Sequence, residues 1–167
     1  SHVTVGKKNK KILEKLKKVK EKGIVKHIGF SFHDNAKVFK TICDGFDSWD
    51  FCQIQQNYVD VNNQALYEGI DYAASKGLGV VIMEPLRGGK LANPPKRVED
   101  VFPKNKTCVE WALNFLWNNP NVSTVLSGMS SMDQIKENLL YADRQRENML
   151  TKEEEQMFVK AREIYES

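Results

Sequence analysis

Strand-like and helix-like stretches alternate along the chain, and this alternation constrains the fold more than any other feature of the sequence. Residues 9–22 carry Ile12, Leu13, Leu16 and Val19 at helical spacing, and Gly23 stops the pattern. Residues 24–31 (IVKHIGFS) read as a strand. Residues 35–44 read as a helix with Val38, Phe39, Ile42 and Cys43 on its apolar face and Asp34 as its cap. A second strand is expected at 51–56, a helix at 64–75, and a third strand at 78–83. This third run, LGVVIM, is nearly continuous in apolar residues, as expected of a strand covered on both faces. A polar loop at 86–106 follows.

Three helix starts are marked chemically. Thr107 precedes Glu110, Ser131 precedes Gln134 and Thr151 precedes Glu154, each by three residues. In such a capping box the two side chains satisfy backbone donors that the first turn leaves open. A fourth strand, 122–127, lies between the first two of these helices. The last helix, 151–165, buries Met157, Phe158, Ala161 and Ile164. The result is a leading helix, four strand–helix units and a closing helix. Such alternation demands a parallel sheet with helices packed on it. An open doubly wound sheet fits, and so does part of a (β/α)8 barrel, which needs about 250 residues when whole.

Composition excludes several alternatives. At 167 residues, 41% hydrophobic and 28% charged, the chain reads as one globular domain, not a disordered tail. No stretch approaches the roughly 18 apolar residues of a membrane span, and the lysine-rich start has no apolar leader core. Cys43, Cys52 and Cys108 are too few and too widely spaced for a disulfide scaffold, which points to a reducing, cytoplasmic setting. The net charge is +3, but residues 1–40 hold +9, carried by twelve lysines. Nucleic-acid binding is one reading of that charge. The helical spacing of the apolar residues among the lysines favours the solvated face of a helix, and no aromatic residues interleave to stack on bases.

In both architectures chemistry sits where strands end. Those ends carry Ser31 to Asp34, Gln55 to Tyr58, Met83 to Gly89 and Ser127 to Ser131. Gly29-Phe30-Ser31-Phe32-His33 resembles a nucleophile elbow, but His33 stands where the sharp turn needs glycine. His27 reads as a structural histidine within the first strand. Glu84 reads either as a functional carboxylate or as a partner of Arg87. Arg87-Gly88-Gly89-Lys90 and the turn from Gly128 into a capped helix both favour an anion, although each is also explicable as a plain turn.

Together, the runs KHIGFSFHD, DFCQIQQNYVD, GLGVVIMEPLRGGKLA and VSTVLSGMSSMDQIKENL resemble the aldo/keto reductases, in particular their iron–sulfur-associated bacterial and archaeal branch. The resemblance implies a (β/α)8 barrel binding NADPH that reduces aldehydes or ketones by hydride transfer. It places this chain as a TIM-barrel fragment, the half-barrel of parallel strands five to eight. Residues 1–22 would be a leading basic helix, 23–145 four βα units and 146–167 a C-terminal helix. It implies that Ser31 and Gln53 contact the nicotinamide carboxamide. Met83 falls where many relatives stack a tyrosine on the ring. Leu86, Arg87 and Gly88 would lie by the pyrophosphate. Gln134 falls where NADP-dependent members carry an arginine, while Glu137 and Asn138 match a pair placed near the adenine. The cofactor is therefore NADP or NAD, with NADP slightly favoured.

The family's Asp, Tyr and Lys of the acid–base tetrad have no counterpart here, and His2 reads as its histidine or as a foreign remnant. An iron–sulfur cluster would belong to a cysteine-rich tail that these residues do not include. The expectation is a cofactor-binding half of an oxidoreductase, inactive alone, without catalytic or metal-ligating residues of its own. Its partners would be a small carbonyl substrate and either a second copy or the first half of the barrel, with no nucleic acid and no membrane. A non-catalytic half-barrel assembly module is the alternative.

Overall fold

A computed structural model of the chain describes residues 7–61 and 66–167, so His2 lies outside the described residues. The elements run α1 (Lys7–Glu21), β1 (Gly29–Phe32), α2 (Ala36–Asp44), β2 (Phe51–Gln55), α3 (Leu66–Ser75), β3 (Gly79–Met83), α4 (Lys96–Glu99), α5 (Cys108–Trp117), β4 (Thr124–Val125), α6 (Met132–Arg144) and α7 (Lys152–Glu166). The strands form one four-stranded parallel sheet in the order β1-β2-β3-β4, as the alternation predicts. The chain divides into two compact units, one of residues 1–54 and 62–81, the other of 55–61 and 82–167.

In the first unit β1 and β2 pair in parallel, Gly29 with Phe51 and Ser31 with Gln53. Alternate residues of a strand face opposite ways. Cys52 and Ile54 are accordingly buried, whereas Phe51 and Gln53 are only half-buried. The core gathers Phe32, Phe39, Cys52, Ile54, Ile70 and Val80. Phe30 adds tilted ring contacts to Phe39 and Trp49. Each such side chain taken from water contributes about 1.5–3 kcal/mol. α2 packs on α3, and Tyr72 of α3 donates its hydroxyl proton to Asp44 of α2 at 2.7 Å.

In the second unit Tyr58, Val59, Leu91, Val98, Phe102, Trp111, Ala112, Phe158 and Ala161 form a continuous core. It is largely aromatic, with Phe102 stacked on Trp111 and Phe158 tilted against Phe115. The segment expected as a polar loop contains α4 and contributes three of these buried side chains, Leu91, Val98 and Phe102. The charged residues around them conceal this role in the sequence.

Several local expectations change. β1 starts at Gly29, five residues later than the hydrophobic pattern implies. Asp50 is the physical reason. Its backbone N–H donates to Ile28 O at 2.7 Å, and its carboxylate accepts the Ile28 N–H at 2.7 Å, so a side chain replaces the next backbone partner. Ile24 and Val25 are left exposed, and His27 is an exposed residue before the strand, 3.8 Å from Asp50. Asn35 caps α2 in place of Asp34, accepting the Val38 N–H, while Asp34 accepts the N–H of Asn35. β3 is not covered equally on both faces, since Val80 and Ile82 are fully buried but Val81 and Met83 only half-buried. β4 is cut to two residues, although Leu126 N–H still donates to Ile82 O at 2.9 Å.

The lysines of α1 behave as a solvated face with local partners. Lys17 lies 3.4 Å from Asp47 and Lys20 2.6 Å from Asp50. Leu13, Leu16 and Val19 are half-buried, but Ile12 is 51% exposed and does not join the apolar face expected of it. The Lys20 ammonium, together with the Ile28 N–H, holds the Asp50 carboxyl below its usual value. Among the described residues no helix is long and apolar enough to cross a membrane.

Candidate functional site

A cleft of about 540 Å³ opens in the second unit, beyond the ends of β3 and β4. This volume lies within the range of small-molecule sites. One wall is the loop after β3, with Glu84, Leu86, Gly88 and Gly89. The other is the turn after β4 with the first two turns of α6, including Ser127, Met129, Gln134, Glu137 and Asn138.

The loop after β3 takes an unusual backbone path. Gly88 and Gly89 have φ of 63° and 87°, which glycine adopts at little cost, and at Gly89 even a Cβ would meet nothing within 4 Å. The open space beside this backbone is a cradle that a ligand can approach closely. Glu84 and Arg87 also take positive φ, 56° and 50°, where a side chain is strained. Backbone bonds from Arg87 N to Glu84 O and from Leu91 N to Leu86 O, both 3.1 Å, close the loop on itself.

The opposite wall is fixed by a complete capping box. Ser131 accepts the Gln134 N–H, and Gln134 Oε1 accepts the N–H groups of Ser130 at 2.7 Å and Ser131 at 3.2 Å. The Gln134 oxygen is thereby committed to its own helix, and its amide nitrogen, a donor, is the part left for other contacts. Asn138 donates to Ser127 Oγ at 3.0 Å and ties the end of β4 to α6. Thr151 builds the second complete box, on α7, and Thr107 accepts the Glu110 N–H at 3.0 Å. The expected box is therefore complete at Ser131 and Thr151, whereas Thr107 supplies only the cap to the Glu110 N–H.

The residues singled out from the sequence are distributed as follows. Leu86, Gly88, Gln134, Glu137 and Asn138 line the cleft together. Ser31 and Gln53 are register partners on one face of the first unit's sheet, Ser31 exposed and Gln53 half-buried. Met83 ends β3 and is half-buried, outside the cleft lining. Arg87 turns away from the cleft. Its Nε lies 3.2 Å from Asp60, and its guanidinium sits 5.0 Å from the Tyr165 ring centre. His33 is an exposed loop residue.

Sequence reasoning missed the support beneath the loop. Asn57 is fully buried and accepts the N–H groups of Val59 (3.1 Å) and Asp60 (2.8 Å). Its amide group donates to Asp60 Oδ2 at 3.0 Å and to Glu84 O at 3.2 Å. The spacing Asn57-Tyr58-Val59-Asp60 directly after a strand is an Asx-turn signal that would have found it.

The electrostatics restrict what the cleft can hold. Among the described residues lining it, Glu84 and Glu137 are the charged ones, and none is Lys, Arg or His. Tyr58 is 1% exposed among the rings of Phe102, Phe115 and Phe158, and burial pushes its hydroxyl well above the usual tyrosine range. Burial likewise raises the thiols of Cys43 to about 11 and Cys52 to about 12, so both remain protonated and unreactive at neutral pH. Among the described residues, no group of three or more His, Cys, Asp and Glu is placed to hold a metal ion.

The chain matches known proteins in sequence and in fold. A family model described as "Aldo/keto reductase family" matches residues 4–157. L-galactose dehydrogenase of Arabidopsis thaliana is 33% identical over 95 residues, covering 47% of this chain and 30% of that enzyme. The aldo-keto reductase AKR11C1 of Bacillus halodurans, in its apo form, superposes with a TM-score of 0.77 at 22% identity, over 95% of this chain and 58% of that one. An aldose reductase of Giardia lamblia superposes at 0.70 with 17% identity, over 91% of this chain and 50% of that one. The chain thus spans about a third of the curated relative and between half and 58% of these structures.

Proposed function

The chain belongs to the aldo/keto reductase family, and from that premise we propose that it is the cofactor-holding part of a carbonyl reductase using a nicotinamide dinucleotide. The observation that carries the reading is the cleft itself, a glycine cradle facing a capped helix at the ends of β3 and β4. When bound, the reduced nicotinamide supplies a hydride to an aldehyde or ketone. The chain's own residues bind and orient. Backbone at Gly88 and Gly89 approaches the pyrophosphate, and Leu86 excludes water beside it. Asn138 and the Gln134 amide nitrogen face the adenosine end. Ser31 and Gln53, side by side in register in the first unit, are the pair that the resemblance assigns to the carboxamide of the ring.

We also propose NAD(H) over NADP(H), against the weak expectation from the resemblance. A 2′-phosphate adds a charge of about −1.5 to −2 near neutral pH. The cleft lining offers it two carboxylates and no cation. Repulsion and uncompensated desolvation then select against the phosphate.

The proton donor of the reaction is not among the described tyrosine side chains of this chain. Tyr58 is enclosed and Tyr141 is buried, donor and acceptor distances placing the latter's hydroxyl 3.0 Å from Thr107 Oγ1. Tyr72 serves Asp44, and Tyr165 lies under Arg87. We therefore propose that residues 1–167 alone do not reduce carbonyls, while the native polypeptide containing them does. The half-buried sheet face carrying Phe51 and Gln53 supports a barrel completed by further strands. The test is a fluorescence titration of the native polypeptide with NADH and with NADPH, then cofactor oxidation against a panel of aldehydes and ketones. NADH binding at least tenfold tighter than NADPH is the expected outcome. Binding of neither dinucleotide would sink the reading of the cleft, and tighter NADPH binding would sink the preference alone.

A further inference from the structure

Arg87 and Lys90 flank the glycine cradle in sequence, and the charge of Arg87 is spent away from it. Asp60, 8% exposed, takes its Nε at 3.2 Å, and Tyr165 of α7 covers its guanidinium. Asp60 is itself held, since its Oδ2 accepts from Asn57. The same Asn57 amide group donates to Glu84 O, where the loop begins. The two strained non-glycine residues of the loop, Glu84 and Arg87, are therefore the two that the 57–60 segment grips. Strained backbone persists where its surroundings over-determine it, and it clusters where a ligand must be met by a pre-shaped surface. α7 joins the same arrangement through Arg162, whose Nε donates to Tyr58 O at 2.9 Å.

We infer that Asn57, Asp60 and Arg87 form a positioning set that holds the 84–89 loop in its cleft-forming shape, with Arg87 acting through Asp60 and not on the bound anion. The inference rests on the cleft being the dinucleotide site. It assigns Arg87 a role opposite to direct phosphate contact, and the two roles give different measurements. If Arg87 touched the pyrophosphate, Asp60 would compete for it, and removing Asp60 would leave binding unchanged or tighten it. If Arg87 positions the loop, removing either partner frees the same strained turn.

The experiment uses the native polypeptide with Asp60→Ala, Arg87→Ala and the double variant, folding being checked by circular dichroism. NADH affinity should fall about tenfold in each single variant, and no further in the double, as for residues acting as one unit. The salt dependence of binding should be unchanged in Arg87→Ala, because no ligand charge pair has been lost. Arg87→Gly should lose less than Arg87→Ala, since glycine accepts the positive φ without strain. Should Asp60→Ala fail to fold, Asp60→Asn keeps its volume and an acceptor, and a smaller loss of the same kind is expected. Amide chemical shifts of Gly88 and Gly89 in the unliganded protein give a readout independent of cofactor. Both single variants should move these shifts alike. Additive losses, a flattened salt dependence in Arg87→Ala, or unmoved glycine shifts would each overturn the positioning set. If the wild-type protein binds no dinucleotide, the functional reading fails, and the glycine shifts alone decide whether the set holds the loop.

Discussion

The segment after β2 and the turn after β4 leave strand ends in the same unit and are built in opposite ways. Gln56 to Val61 are all buried, none more than 8% exposed. Gly128 to Ser131 are all exposed. Both are rich in polar groups, and the difference lies in where those groups bond. Asn57 spends its amide inward, on Asp60 and on the neighbouring loop. Ser130 and Ser131 spend theirs on the helix they start, which leaves the turn's outer surface facing the cleft. One segment is framework and the other is contact surface. Polar content at a strand end does not separate the two, whereas apolar neighbours do. In Gln56-Asn57-Tyr58-Val59-Asp60-Val61 every polar residue but one sits next to a side chain that must be buried, and it is carried in with it.

The largest test of this contrast is Asn57→Ala. It removes a fully buried amide and strands acceptors and donors on Asp60, Val59 and Glu84, so a loss of about 3 kcal/mol is expected from the desolvation cost of unpaired buried groups. Urea unfolding measures it, and a loss under about 1 kcal/mol would mean that the segment is not framework. Ser131→Ala, on the contact side, should cost only about 1 kcal/mol, the ordinary worth of an N-cap. A larger loss there would erase the contrast from the other end. Glu137→Gln should leave stability nearly unchanged but shift the NADPH-to-NADH affinity ratio towards NADPH by about fivefold, corresponding to about 1 kcal/mol for one charge pair in wet surroundings. Paired titrations with the two dinucleotides read this ratio. An unmoved ratio would show that Glu137 does not face the 2′ position.

The smallest effect lies in the other unit. Asp50 has its carboxyl lowered in the folded state by Lys20 and the Ile28 N–H. A depressed carboxylate contributes stability above its ordinary value of 3.8, and that contribution is lost as pH falls below 3.8 through the folded value. Asp50→Asn should therefore lower stability at neutral pH slightly and flatten its fall as pH drops below 3.8. Thermal unfolding across that range checks the slope, and parallel curves for the two proteins would discount the Lys20 contact.

The order of elements was legible in the sequence because period and caps spoke together. Thr107, Ser131 and Thr151 each start a helix where their side-chain chemistry requires. Strand ends were less legible, for reasons of pairing. Nothing local announces that the Asp50 side chain will take the Ile28 N–H and stop β1, or that β4 will hold only two residues. Of the site, the cleft residues Leu86, Gly88, Gln134, Glu137 and Asn138 could be picked out by resemblance, since glycines and caps are local signals. Arg87 was misleading because a cation in a glycine loop looks the same whether it meets a ligand or a carboxylate 27 residues upstream. Only packing distinguishes these, and packing is not local.

The Arg162 to Tyr58 bond has a consequence for timing. Its two residues lie 104 positions apart in the chain. At roughly 5–20 residues per second, synthesis leaves the 57–60 segment without α7 for about 5–20 s. During that interval Tyr58 and its apolar neighbours have been made, but the helix that covers them has not. The cleft loop gripped by the same segment must wait as well. The shape of the cleft is thus a late event in the making of the chain, set by the arrival of α7.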